Sequence, residues 1–104
     1  MIIEQPLKAN ETITIKTIGG DEIVARYVQE DEQTITVLKP LALMATPNGI
    51  GLGPFAFTIN PDAKLKLYKS SVVFVTKTEE SMAGQYMTST SGIRPASAMP
   101  KFQL

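Results

Sequence analysis

The chain has 104 residues, with ten acidic and ten basic side chains that leave no formal net charge, and it contains no cysteine, histidine or tryptophan. Such a length fits one domain with its own core. The missing residue types exclude a disulfide framework, a thiolate nucleophile, an imidazole base and a zinc site of the usual Cys/His kind, while neutrality argues against a simple basic nucleic-acid binder.

The first ten residues open with Met1-Ile2-Ile3-Glu4-Gln5-Pro6, which has neither a basic leader nor a long apolar run, and no later stretch approaches membrane-spanning length. A soluble, cytoplasmic protein with no membrane partner and no cofactor is expected. Alternation then begins. Thr12 to Ile18 reads as a first strand, Gly19-Gly20-Asp21 as a tight turn whose glycines supply positive φ, Glu22 to Gln29 as a second strand, and the acidic Glu30-Asp31-Glu32 as a second turn. A third strand starts at Thr34 and meets Pro40, which marks an edge, a bulge or a bend because it has no amide to donate. The apolar run Leu41 to Thr46 extends it to a turn at Pro47-Asn48-Gly49.

Ile50-Gly51-Leu52-Gly53-Pro54 reads as an apolar loop, open to use as a contact surface or to folding back on its own barrel. The return strand alternates as Phe55, Phe57, Ile59, is interrupted at Asn60-Pro61-Asp62, and resumes as Ala63, Leu65, Leu67 with Lys64, Lys66 and Tyr68 opposite. Its parity survives the interruption, so one long fourth strand bent at a bulge is expected, forming an extended hairpin with the third. After Lys69-Ser70-Ser71, Val72 to Thr76 is a fifth strand. Five antiparallel strands in a meander predict an all-β fold with a short helix: a strongly bent small barrel of the SH3-like or OB kind over residues 11–78. A short helix is expected over 79–87, with Thr76 and Glu79 as a capping box and Met82 and Tyr86 as one apolar stripe. Residues 88–104, rich in Ser, Thr, Ala and Pro, read as a flexible tail.

Charge is segregated along the chain. Residues 1–32 carry seven acids against Lys8, Lys16 and Arg26, whereas residues 33–78 carry Asp62 against Lys39, Lys64, Lys66, Lys69 and Lys77. Three readings are open: one basic face, an acidic edge of one subunit meeting a basic edge of the next, or a solvated strand face bearing lysines.

The block Ile13 to Pro40 resembles the first motif of the Sm-like family, with apolar alternation at Ile13 and Ile15, Gly20, the small Ala25 followed by Val28, and the acidic Asp31 before the third strand. Lys69-Ser70-Ser71-Val72-Val73-Phe74-Val75 resembles the shorter second motif. The long third and fourth strands and the tail are similar to those of Sm-like proteins encoded by phages of marine cyanobacteria. The resemblance implies a homo-oligomeric ring in which the fourth strand of one subunit pairs with the fifth of the next, with Leu65, Leu67, Val72, Val73, Phe74 and Val75 at the contact. An unblunted strand edge at Val72 to Val75 points the same way. By the same resemblance, Asp31, Gln33, Lys69 and Ser70 fall at the pore positions that hold single-stranded RNA. Apart from the resemblance, the Lys64, Lys66, Tyr68 face of the return strand offers such a ring a second surface. The chain departs from the family at the pore, having no aromatic stacker, no Asn and no Arg-Gly pair at those positions. Two functions are therefore carried forward: an RNA-binding ring, and a ring-shaped assembly adaptor that binds protein through the Ile50 to Phe57 loop and the tail. No enzyme is expected, because no nucleophile and base can be paired.

Overall fold

A computed structural model describes residues 6–90 and gives an antiparallel β-structure with one helix. The strands are β1 (Thr12–Thr17), β2 (Glu22–Glu30), β3 (Thr34–Thr46), β4 (Gly49–Pro54), β5 (Lys64–Tyr68) and β6 (Val72–Lys77); a 3-10 turn at Lys69–Ser71 joins the last two, and α1 (Glu80–Thr90) follows. The sheet runs β4-β3-β2-β1-β6, with β5 also on β3, and among the described residues it does not close. The predicted all-β class with a short helix holds. The strand count is six rather than five.

The extra strand comes from the loop expected at Ile50 to Pro54. It zips along the outer half of β3, from Thr46 opposite Gly49 to Leu41 opposite Pro54, while β5 pairs with the inner half, from Leu38 opposite Lys64 to Thr34 opposite Tyr68. Residues 55–63 bulge out between the two pieces and contain no strand, so the expected strand through Phe55, Phe57 and Ile59 is absent. The physical reason is a lack of pairing edge: β4 occupies the outer half of β3, and Pro54 and Pro61 cannot donate to a ladder. Phe55 instead packs partly against the core, and Phe57 is exposed.

Two bulges bend the sheet. Between the pairs Val24–Leu41 and Arg26–Leu38, Ala25 alone faces Lys39 and Pro40; between Tyr27–Val37 and Gln29–Thr36, Val28 has no counterpart. The first bulge confirms the bend signalled by Pro40, and Lys39 just before it adopts a left-handed φ of 50°. Inside the bend lies the core: Ile13 and Ile15 of β1, Ile23, Ala25 and Tyr27 of β2, Ile35 and Val37 of β3, and Val72 and Val75 of β6. The odd-numbered residues at the start of β2 therefore face inward, and Val24 and Arg26 face the opposite side.

That opposite side carries α1. Glu79, not Thr76, caps the helix: its carboxylate accepts from the amides of Ser81 at 2.6 Å and Met82 at 3.2 Å. Thr76 is unavailable because β6 runs on to Lys77 opposite Ile13. The helix also continues three residues beyond the predicted Met87, and the Thr88 and Thr90 hydroxyls donate to the carbonyls of Gly84 and Tyr86 one turn back. The remainder of the expected tail, 91–104, lies outside the described residues. No described helix is long and apolar enough to cross a membrane.

Candidate functional site

The loop between β2 and β3 is built by one carboxylate. Asp31 accepts from the amides of Gln33 at 2.8 Å and Thr34 at 2.7 Å and from the Thr34 hydroxyl at 3.1 Å, an arrangement that turns the chain between strands. The Gln33 and Thr34 amides, aided by the Thr34 hydroxyl and the field of Lys66, hold the Asp31 carboxyl below its ordinary value. Through this one oxygen, Oδ1, the side chain anchors its own loop.

The second loop docks on the first. The Lys69 amide donates to the Gln33 carbonyl at 2.8 Å, so the sheet brings Asp31, Gln33, Lys69 and the neighbouring Ser70 to one end of the molecule. The four residues singled out from the sequence are thus gathered. Their chemistry differs from the expectation in one respect: the Lys69 ammonium lies 2.8 Å from a Glu30 carboxylate oxygen, both side chains being about four-fifths shielded. The other Glu30 oxygen accepts from the Tyr27 hydroxyl at 2.9 Å. Burial first, and then this contact with Glu30, pushes the Tyr27 phenol up to about 12.

Tyr27, Glu30 and Lys69 therefore form a chain of hydrogen bonds that neutralises the cation expected to hold RNA. Sequence reasoning missed Tyr27, because residues three apart on a regular strand point to opposite faces. The unpaired Val28 resets the parity and places Glu30, opposite Ile35, on the side of Tyr27.

The predicted contact residues divide into two groups. Val72 and Val75 are buried in the core, and Leu65 and Leu67 pack partly against it, so these side chains serve the core of their own chain. Val73, 51% exposed in a bulge of β6, and Phe74, 39% exposed, are accessible. β5 pairs only with β3, and β6 only with β1, so each leaves one edge unpaired among the described residues. A comparison of the chain with known proteins finds no matching protein-family model and no matching curated protein.

Proposed function

We propose that the chain is the subunit of an Sm-like homo-oligomeric ring, closed by pairing of β5 in one copy with β6 in the next, and that the ring binds single-stranded RNA. The carrying observation is the pair of open edges. Among the described residues β5 and β6 lie at unpaired margins of one bent sheet, and Val72 to Val75 has neither the lysine nor the proline that blunts a solvent edge. Head-to-tail pairing satisfies both rows of backbone groups and forms a ring when the rotation per subunit closes. The approach of Gln33 and Lys69 supports a shared site formed by the two loops.

The Glu30–Lys69 ion pair favours a second reading, in which the ring is a structural adaptor for another protein. Residues 40–61 contain no charged side chain, and their exposed Met44, Ile50 and Phe57 are the matching contact surface. Light scattering followed by fluorescence anisotropy with labelled U-rich and A-rich oligoribonucleotides separates the two. The RNA reading expects a multiple of the chain mass and micromolar or tighter binding that weakens with salt. A well-formed ring with no affinity at low salt overturns it in favour of the adaptor, and a single-chain mass overturns the ring.

A further inference from the structure

The cations left without an acid do not lie in the paired loops. β5 alternates cleanly: Leu65 and Leu67 pack toward the core, and Lys64, Lys66 and Tyr68 stand outward and exposed. Across the ladder they face Leu38, Thr36 and Thr34 of β3, and in the next row Arg26 lies beside Leu38. Among the described residues the ion pairs are Lys69 with Glu30 and Lys77 with Glu11; Lys64 and Lys66, like Lys8, Lys16 and Lys39, have no carboxylate partner but share one exposed strand face, whereas the Arg26 guanidinium lies against the Met87 sulfur of α1. Asp31 is the acid whose field reaches Lys66, but it makes no ion pair with it, and its Oδ1 is taken by three donors of its own loop. At the end of this row stands Tyr68, 65% exposed.

We infer that the outer face of β5 is the principal nucleic-acid contact of this chain, with Lys64 and Lys66 on successive phosphates of a single strand and Tyr68 stacked on a base. This rests on the RNA reading above and moves its centre away from Lys69. Side chains two apart on a strand are about 6.8 Å apart, which matches one step of an extended single strand. An exposed aromatic at the end of a row of unpaired lysines is the combination by which proteins hold such strands without reading sequence. Charge complementarity alone also suits an acidic protein segment. The stacking platform of Tyr68 favours a polymer that carries bases.

The test is anisotropy of a labelled oligouridylate against the full chain at several salt concentrations, with the mass of each sample fixed by light scattering. The K64A/K66A double variant is expected to bind at least tenfold more weakly and to lower the log–log salt slope by about 1 to 2. Tyr68→Ala is expected to weaken binding about tenfold while Tyr68→Phe retains it. The remote Lys8→Ala is expected to bind like the parent, and Lys69→Ala to weaken binding less than the double variant does. Loss of binding in Lys69→Ala with an unchanged double variant overturns this inference and leaves the pore-loop reading standing. Equal affinity for polyglutamate of the same charge overturns it in favour of an acidic protein partner. A loss in the Tyr68 variant that travels with a fall in mass assigns that residue to assembly and removes it from the site. No binding by the parent at low salt removes both this surface and the RNA reading.

Discussion

The Tyr86 hydroxyl donates to the Lys39 carbonyl at 2.8 Å and lies 3.3 Å from that of Leu38, tying the helix to the bend in β3. Tyr86 is the one fully buried side chain of α1, and burial pushes its phenol up to about 12. From the other end, the Lys39 ammonium reaches the Thr90 carbonyl at 3.5 Å, at the helix C-terminus where a cation is favourable. The helix and the bend thus hold each other.

Tyr86→Phe is expected to cost about 1 kcal/mol by loss of the hydroxyl bonds, and Tyr86→Ala about 3 to 5 kcal/mol by leaving an unfilled space under the helix. Urea unfolding followed by circular dichroism checks both. Equal cost in the two variants would show that the ring contributes no packing.

Lys39 holds a φ of 50° without being glycine, immediately before Pro40. Left-handed backbone costs an ordinary residue roughly 1 kcal/mol, and a β-branched one more. Lys39→Gly is therefore expected to leave stability within about 0.5 kcal/mol of the parent, relief of strain offsetting the lost contact to Thr90 and the greater freedom of the unfolded chain. Lys39→Val is expected to lose about 2 kcal/mol or more in the same unfolding measurement.

Much of the bent sheet was legible in period-two alternation, because Ile13, Ile15, Ile23, Ala25, Ile35 and Val37 all meet in the core. The loop residues Asp31, Gln33 and Lys69 were legible as a cluster through the resemblance. What the sequence hid depends on register. Bulges at Val28 and at Lys39-Pro40 change which side chains share a face, and a one-residue offset reverses every assignment beyond it. The glycine-rich Ile50 to Pro54 has poor strand propensity of its own and becomes β4 through its partner, Leu41 to Thr46. Gly53 suits that role: an added Cβ would meet the Met44 sulfur at 2.5 Å, so the methionine lies across the space a side chain would fill.

Acid is expected to loosen the loop after β2 before it unfolds the sheet. Asp31 has a lowered pKa because the folded chain hydrogen-bonds its charged form. Its contribution is complete above the unfolded value, 3.8, and is lost as pH falls through the lower folded value. Hydrogen exchange at the Gln33 and Thr34 amides should accelerate over that window, and Asp31→Ala should show the fast exchange at neutral pH. Unchanged protection in Asp31→Ala would mean that the turn forms without its anchor.

Alkali acts through the two tyrosines. Tyr27 and Tyr86 are both raised from 10 to about 12, so each favours folding fully below pH 10 and loses that contribution as pH rises through the folded value near 12. Glu30→Gln separates them: Tyr27 should titrate lower than in the parent yet above 10, because burial is the larger cause and the carboxylate the smaller. Tyr86 should be unaffected. Absorbance titration of the phenolates reads both, and an unshifted Tyr27 would show that Glu30 does not act on it in solution.

The open edge of β6 gives the sharpest test of assembly. Val73 sits at a bulge, half-exposed, while Val72 and Val75 on either side are in the core. A lysine at position 73 therefore need not bury its charge in the isolated chain, where a surface change of this kind is worth less than about 0.5 kcal/mol. In a ring the same lysine would sit on the edge that β5 of the next copy must approach, the device by which natural edge strands resist pairing. Val73→Lys is expected to keep its strand spectrum and melting temperature at the single-chain level while the mass by light scattering falls to one subunit. Val75→Lys, by contrast, is expected to unfold the chain by burying an unpaired charge. A Val73→Lys protein that retains the assembled mass would show that β6 is not the joining edge.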